Sequence, residues 1–249
     1  MKIIKTPDEM MALRKKLEGK TIGFAPTMGG LHNGHLSLIN KSKSENEVTV
    51  VSVYLNETQF NDKNDLLTYP SNFEDDVKLL ENAGVDYLFA PDYKVMYPDN
   101  YRYMVTEKEF SKLLCGAKRP GHFDGVLTVV MKLLNIVRPT RAYFGEKDFQ
   151  QLTLIKGMTE AFFLDVKIIP CPIVREENGL AISSRNRKLS PEGLKLAPKF
   201  HQILSENGTV EEKKEALEKE GFKVDYVTEY DGRLYAAVFL ENVRLIDNI

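Results

Sequence analysis

Cysteine is scarce in this sequence, and long apolar runs are absent. The 249 residues include only Cys115 and Cys171, with no CxxC spacing, and we interpret both as small buried hydrophobic residues in a reducing compartment. No segment reaches the roughly 18 apolar residues needed to cross a bilayer, and the charged N-terminus lacks the apolar core of a signal peptide. These absences predict a soluble, cytoplasmic protein without a membrane partner.

An excess of charge of one sign is also missing, and glycine and proline are few. The 34 basic and 36 acidic side chains leave a formal net charge of -2, which removes the usual reason to expect a nucleic-acid partner. The 16 glycines and 11 prolines are too few for a fibrous or low-complexity chain. The remaining composition is globular, and the length allows one large domain or two unequal ones.

Short β-branched runs alternate with helical patterns along the first two thirds of the chain. A capping box at Thr6 predicts an N-terminal helix. The alternation predicts an α/β domain with a Rossmann-like, doubly wound parallel sheet, whose ligands bind beyond the carboxyl ends of its strands. The predicted strands are 21–26, 48–55, 85–90, 141–144 and 166–174, the last interrupted at its two prolines.

The composition and pattern of the sequence change after about Val174. A polar stretch, REENGLAISSRNRKLSPEG, precedes two amphipathic helical segments and three strand candidates. We therefore predict two domains, 1–174 with the parallel sheet and 175–249 as a smaller α+β domain. The three strand candidates of the second domain are 222–230, 235–240 and 243–246.

The first candidate site is the turn PTMGGLHNGH, which runs from Pro26 to His35. Its glycines allow a tight turn, and the helix that follows points free N–H groups at a ligand. His32 and His35 are three residues apart, so both rings can face one phosphate. The alternatives are a pair of ordinary histidines at a β–α turn, or a metal pair that lacks a nearby third ligand. Walker and GxGxxG loops are both absent.

Further candidates follow other strands or lie at the predicted domain junction. Ser183-Ser184-Arg185 can clamp phosphate oxygens, although a solvated loop is the simpler account. Lys147 can neutralise a polyphosphate, while Asp148 beside it can be an ordinary helix cap. Gln59 can donate and accept hydrogen bonds, or be a plain turn residue.

Two more pairs have open interpretations. Asp75 and Asp76 lie near a helix start, where they either offset the helix dipole or bind magnesium. Arg119 and His122 lie in the turn RPGHF, which is either a gate or a simple loop.

Five separated blocks resemble the pantothenate synthetase (pantoate–β-alanine ligase) family in order and approximate spacing. The blocks are PTMGGLHNGH, LNETQF, RPGHFDGVLTVVMKLLNIVRP, FGEKDFQQL and IVREENGLAISSRN. The resemblance implies that ATP and pantoate form pantoyl adenylate with Mg²⁺, and that β-alanine then displaces AMP. It also implies a homodimer, and a C-terminal domain that serves as a lid carrying the SSR loop.

Site residues follow from the resemblance, position by position. It implies that His35 is the proton donor and that His32, Lys147 and Arg185 complete the catalytic set. Gln59 and Gln151 would hold pantoate, with Gln59 also near β-alanine, and Asp75 would contact Mg²⁺ directly or through water. The implied ATP contacts are Met28, Gly29, Gly30, Leu31, His32, Asn33, Gly34, His35, Gly145, Glu146, Lys147, Asp148, Val174, Ile182, Ser183, Ser184 and Arg185.

The sequence departs from the family pattern at three points. Glu57 stands where a proline is usual before Thr58-Gln59, Ile182 stands where methionine is usual, and the second domain is shorter than in many relatives. None of these changes removes a charged group from the predicted site. Two other functions share the HxGH turn, namely nucleotidyl transfer to a phosphate acceptor and nucleotide binding without catalysis.

Overall fold

The computed structural model describes all residues from Met1 to Ile249. The chain divides into two compact units. The first unit comprises Met1–Gly145 and Gln150–Cys171, and the second comprises Glu146–Phe149 and Pro172–Ile249. None of the helices combines the length and the apolar character that a membrane span requires.

The first unit is built on a six-stranded parallel sheet with the order β1-β4-β3-β2-β5-β6. The chain moves outward from β2 to β4 and then returns to place β5 on the other side of β2. The strand order therefore reverses at β2, as in doubly wound folds, and the predicted fold class is confirmed. The strands are β1 (Lys2–Ile4), β2 (Ile22–Thr27), β3 (Val48–Val53), β4 (Tyr87–Phe89), β5 (Arg141–Gly145) and β6 (Lys167–Cys171).

Helices cover the central strands of this sheet. Helix α2 packs on β2, β3 and β5, while α7 packs on β2 and on α1. The Thr6 capping box is present at the start of α1, and α7 ends at Val137, with Arg138 as its C-cap directly before Pro139. The helices are α1 (Pro7–Lys16), α2 (Asn33–Glu45), α3 (Lys63–Leu67), α4 (Phe73–Asn82), α5 (Tyr93–Met96), α6 (Leu114–Lys118), α7 (His122–Val137) and α8 (Phe149–Ala161).

Two expectations about the first unit need correction. The strand predicted over 166–174 ends at Cys171, and Pro170 lies inside it. An edge strand such as β6 tolerates proline, because one side of the strand makes no ladder hydrogen bonds. Both cysteines are free thiols, but only Cys171 is buried, whereas Cys115 is half-buried.

The second unit has three helices above a three-stranded antiparallel sheet of order β7-β8-β9. Three helices form where two were predicted, because Pro198 starts a new helix directly after Ala197. A separate core includes Phe200, Leu217 and Phe222. The elements are α9 (Pro191–Leu196), α10 (Pro198–Ser205), α11 (Val210–Lys219), β7 (Lys223–Tyr230), β8 (Arg233–Leu240) and β9 (Val243–Asn248).

Candidate active site

Two histidines organise the start of α2, directly after β2. His32 is the N-cap residue, and its Nδ1 accepts a hydrogen bond from Gly34 N at 3.1 Å. The Nδ1 of His35 accepts from His32 N at 3.3 Å, and the two ring centroids are 4.1 Å apart. Because each Nδ1 accepts, the proton of each neutral ring resides on Nε2. The helix start therefore carries two imidazole N–H donors, which would add to the attraction of its backbone N–H groups for an anion.

The turn before these histidines depends on glycine. Gly29 and Gly30 both have left-handed backbones, with φ of +88° and +65°. A Cβ at Gly29 would lie 2.9 Å from Asp76 Oδ2 and 3.3 Å from a methyl carbon of Val53. Only glycine fits both the conformation and the space at this position.

Asp76, on helix α4, binds the backbone of the same turn. Its side chain is 3% exposed, and its two oxygens accept from Gly30 N at 2.9 Å and from Leu31 N at 2.7 Å. Asp76 thus anchors the turn, a role different from the two considered from sequence. Asp75 beside it is exposed, and the structure contains no cluster of three His, Cys, Asp or Glu side chains suited to a metal ion.

Gln59 lies beside the same turn, in a short 3₁₀ segment after β3. It is 8% exposed, and its Nε2 approaches Met28 Sδ at 3.2 Å. The structure therefore brings a predicted pantoate residue next to a predicted ATP residue. Glu57, at the start of the 3₁₀ segment, points to solvent, which explains why a charged residue is tolerated there.

The RPGHF turn holds the backbone of Gln59. The carbonyl oxygen of Gln59 is 2.9 Å from His122 Nδ1 and 3.3 Å from an Arg119 guanidinium nitrogen. Arg119 and His122 also contact one another at 3.1 Å. This pair is an anchor for Gln59, whereas the sequence had left a gate and a simple loop as the two interpretations.

The SSR segment belongs to the second unit. Ser183 caps a 3₁₀ turn over Ser184–Lys188, and its Oγ accepts from Arg185 N at 3.2 Å. Ile182 N donates to Val174 O at 3.0 Å, so these two predicted ATP residues are neighbours. Arg185 is half-buried and Ser184 is buried.

Comparison with known proteins identifies the family. The protein-family model described as pantoate-beta-alanine ligase matches residues 2–249. The chain belongs to the pantoate–β-alanine ligase family. This assignment confirms the resemblance and makes the chain a ligase that forms pantothenate.

Several relatives share nearly the whole length of this ligase. A pantothenate synthetase of Bdellovibrio bacteriovorus is 54% identical over 247 residues, covering 99% of this chain and 98% of the relative. One from Coxiella burnetii is 50% identical, covering 100% and 96%. The crystal structure of the pantoate-beta-alanine ligase of Francisella tularensis, complexed with beta-gamma ATP and beta-alanine, is 43% identical, has a TM-score of 0.96 and covers 100% and 97%.

The remaining predicted residues of this ligase follow β5. Glu146, Lys147 and Asp148 form a 3₁₀ turn of the second unit, and Asn248 Nδ2 donates to the carbonyl oxygens of Glu146 and Lys147 at 3.0 Å each. The ammonium group of Lys147 is 3.8 Å from Asp148. Gln151 is half-buried in the first turn of α8.

Gln150 is a structural residue beside the predicted substrate residue Gln151. The oxygen of its amide accepts from Cys115 N at 3.1 Å, and its nitrogen donates to the carbonyl oxygens of Phe110 and Leu113 at 2.8 and 2.9 Å. With every polar atom of its side chain engaged, Gln150 is suited to hold 110–115 rather than a ligand.

Proposed function

We propose that this ligase uses ATP to activate pantoate and then transfers the pantoyl group to β-alanine. In the first step a carboxylate oxygen of pantoate attacks the α-phosphorus, and pyrophosphate leaves with the oxygen that bridged the α- and β-phosphates. In the second step the amine of β-alanine attacks the carbonyl carbon, the bond to AMP breaks, and the amine loses a proton. The products are pantothenate, AMP and pyrophosphate.

One observation supports this route above the others. A buried amide, Gln59, lies against Met28 in the turn whose two histidines carry their protons on Nε2. N–H groups that can bind a phosphate therefore lie close to a side chain that can bind a hydroxy acid. This arrangement suits a reaction in which a carboxylate must approach a phosphate. Nucleotidyl transfer to a phosphate acceptor has no need for the buried amide. The crystal structure of the Francisella relative is of a complex with beta-gamma ATP and beta-alanine, in agreement with the proposal.

The first step brings two anions together, so positive charge and hydrogen-bond donors decide its rate. We assign this task to His32, His35, Lys147 and Arg185, with His35 as the donor to the reacting phosphate. Gln59 and Gln151 position pantoate. The other nucleotide contacts are Met28, Gly29, Gly30, Leu31, Asn33, Gly34, Gly145, Glu146, Asp148, Val174, Ile182, Ser183 and Ser184.

The few carboxylates near the turn fit a magnesium ion that is bound mainly by the nucleotide. Both oxygens of Asp76 are occupied by backbone N–H groups. The carboxylate that we assign to the ion, directly or through water, is the exposed Asp75 that the family resemblance implies. Mg²⁺ would neutralise charge on the triphosphate. We also propose a homodimer, a cytoplasmic location and a lid role for the C-terminal domain.

Isotope exchange between ATP and pyrophosphate tests the proposal. The assay contains the ligase, Mg²⁺ and pantoate, with β-alanine omitted. Exchange that requires pantoate establishes a reversible acyl-adenylate step. If pantothenate forms in the full reaction but exchange fails, the two-step route is wrong, because an enzyme that couples all three substrates at once returns no label to ATP.

A further inference from the structure

Behind Gln59 lies a chain of buried hydrogen bonds that leads away from the predicted substrate. The hydroxyl of Tyr97, a residue 1% exposed, is 2.9 Å from Asn56 Oδ1. Asn56 Nδ2 is in turn 3.0 Å from Gln59 Oε1. Tyr97 follows α5, whereas Asn56 and Gln59 follow β3, so the contact joins segments 41 residues apart.

One backbone carbonyl identifies the direction of the hydrogen bonds in this chain. Asn56 Nδ2 is 3.1 Å from Gly125 O, and a carbonyl oxygen can only accept. The amide nitrogen of Asn56 must therefore face Gly125 and Gln59. Its oxygen faces Tyr97 and Thr58, whose hydroxyl is 3.0 Å away, and both hydroxyls donate to it.

The same reasoning orients Gln59. Its Oε1 accepts from Asn56, so its Nε2 must face the opposite way, toward Met28. The two ends of an amide have nearly the same shape, and without a fixed partner the side chain can turn by half a rotation. A turned amide would present a carbonyl oxygen to a carboxylate or hydroxyl oxygen of the substrate, where the two oxygens repel.

We propose that Tyr97 is a positioning residue that acts through Asn56 to keep Gln59 a hydrogen-bond donor toward the hydroxy acid. This inference rests on the proposed role of Gln59. Tyr97 does not touch the substrate in this account, and it contributes by excluding the wrong amide orientation.

The surroundings of Tyr97 suit this role. The ammonium group of Lys132, on α7, lies 4.7 Å from the centre of the Tyr97 ring and donates to Met96 O at 3.0 Å. These two contacts hold the ring beside the end of α5. Burial raises the pKa of Tyr97 to about 12, so the phenol retains its proton at every pH at which the ligase would be assayed. The hydroxyl is consequently a constant donor to Asn56.

Tyr54 supplies a matched control. It is 5% exposed, and its hydroxyl is buried without a hydrogen-bond partner. Tyr54→Phe and Tyr97→Phe each delete one buried phenol oxygen and retain the ring. Only the second deletion interrupts the chain to Gln59.

The test is the steady-state rate of pantothenate formation, measured for each variant with pantoate varied and with ATP varied. We expect Tyr97→Phe to lower kcat/KM for pantoate about fivefold, as the loss of one neutral hydrogen bond predicts, with kcat/KM for ATP unchanged. Tyr54→Phe should match the parent ligase in both. Equal losses for the two substrates, or no difference between the two variants, would overturn the inference.

The Gln59→Ala background separates failure of the inference from failure of the proposed function. If Tyr97 acts through Gln59, adding Tyr97→Phe to Gln59→Ala should cause no further loss in kcat/KM for pantoate. A further fivefold loss would show that Tyr97 acts by another path. If Gln59→Ala alone leaves kcat/KM for pantoate unchanged, the substrate role of Gln59 is wrong, and the inference is wrong with it.

Discussion

Each histidine of the HxGH turn performs two tasks with its two ring nitrogens. The inner nitrogen, Nδ1, accepts from a backbone N–H of the turn, from Gly34 for His32 and from His32 for His35. The outer nitrogen, Nε2, carries the proton that can be donated to a phosphate. A hydrogen on Nδ1 of either ring would place two donors face to face, so the tautomer that fits this turn carries its hydrogen on Nε2.

Substitutions of His35 can separate these tasks. Asparagine places an amide near the Nδ1 position, and glutamine places one near Nε2. We expect His35→Asn to retain the melting temperature and to lower ATP–pyrophosphate exchange at least about 100-fold, since a positioned proton donor typically contributes that much. His35→Gln should retain more exchange activity and melt at a lower temperature. Exchange at the parent rate in His35→Asn would contradict the assigned role.

Gly29 is required by both conformation and space. Alanine at this position must adopt φ near +88° with its Cβ 2.9 Å from Asp76 Oδ2. We expect Gly29→Ala to reduce the free energy of unfolding by about 1–3 kcal/mol and to raise the KM for ATP. The control is Gly157→Ala at an exposed position of helix α8, where the added methyl meets no atom within 4 Å. That change should raise the free energy of unfolding by up to about 1 kcal/mol, and equal destabilisation by both would contradict this account.

At the scale of elements, α4 completes a turn that follows a different strand. Gly30 and Asp76 are 46 positions apart, yet the carboxylate of Asp76 on α4 accepts hydrogen bonds from the backbone N–H groups of the turn after β2. A charged acceptor also forms stronger hydrogen bonds to N–H groups than a neutral one. The turn that we propose binds phosphate thus has its conformation fixed before a ligand arrives.

Neighbouring aspartates on α4 allow this role to be tested. Asp76→Asn replaces one acceptor oxygen by an NH₂ group, leaving Gly30 N or Leu31 N without its partner. We expect a loss of about 1–3 kcal/mol in the free energy of unfolding and a higher KM for ATP. Asp75→Asn should leave thermal stability unchanged and raise the Mg²⁺ concentration that gives half-maximal rate. If the two variants have the same magnesium dependence and stability, the assignments are wrong.

Short-range patterns in the sequence predicted the helices and strands well, whereas contacts between residues far apart in the chain could not be predicted from such patterns. The Thr6 capping box needs only near neighbours, and helix α1 begins where that pattern placed it. Asp76 and His122 carry no such signal, because their roles depend on backbone atoms 45 to 63 positions away. The end of β6 likewise depends on its edge position in the sheet.

For the whole molecule, two separate cores imply two cooperative units. The parallel-sheet core includes Ile39, Val51 and Leu88, and the antiparallel-sheet core includes Phe200 and Leu217. Chains with two cores often depart from two-state unfolding. Calorimetry of the ligase should then resolve changes that affect only one unit.

A buried ion pair in the second unit makes this testable. Arg175 binds both oxygens of Asp247 at 2.7 and 2.8 Å, and His201 Nδ1 lies 3.2 Å from the same carboxylate, which is 2% exposed. Removing one charge of a buried pair leaves the other uncompensated. Since Arg175 also donates to Gly179 O, the pair holds the segment that leads into the SSR loop.

We expect Asp247→Asn to destabilise the second unit by about 3 kcal/mol and to lower its melting transition by more than about 10 °C, with the transition of the first unit unchanged. The control is Glu211→Gln, which removes an exposed pair with Lys214 at 3.4 Å and should cost less than about 1 kcal/mol. Scanning calorimetry resolves the two transitions. A single transition shifted as a whole by Asp247→Asn would contradict independent unfolding, because both cores would then melt as one cooperative unit.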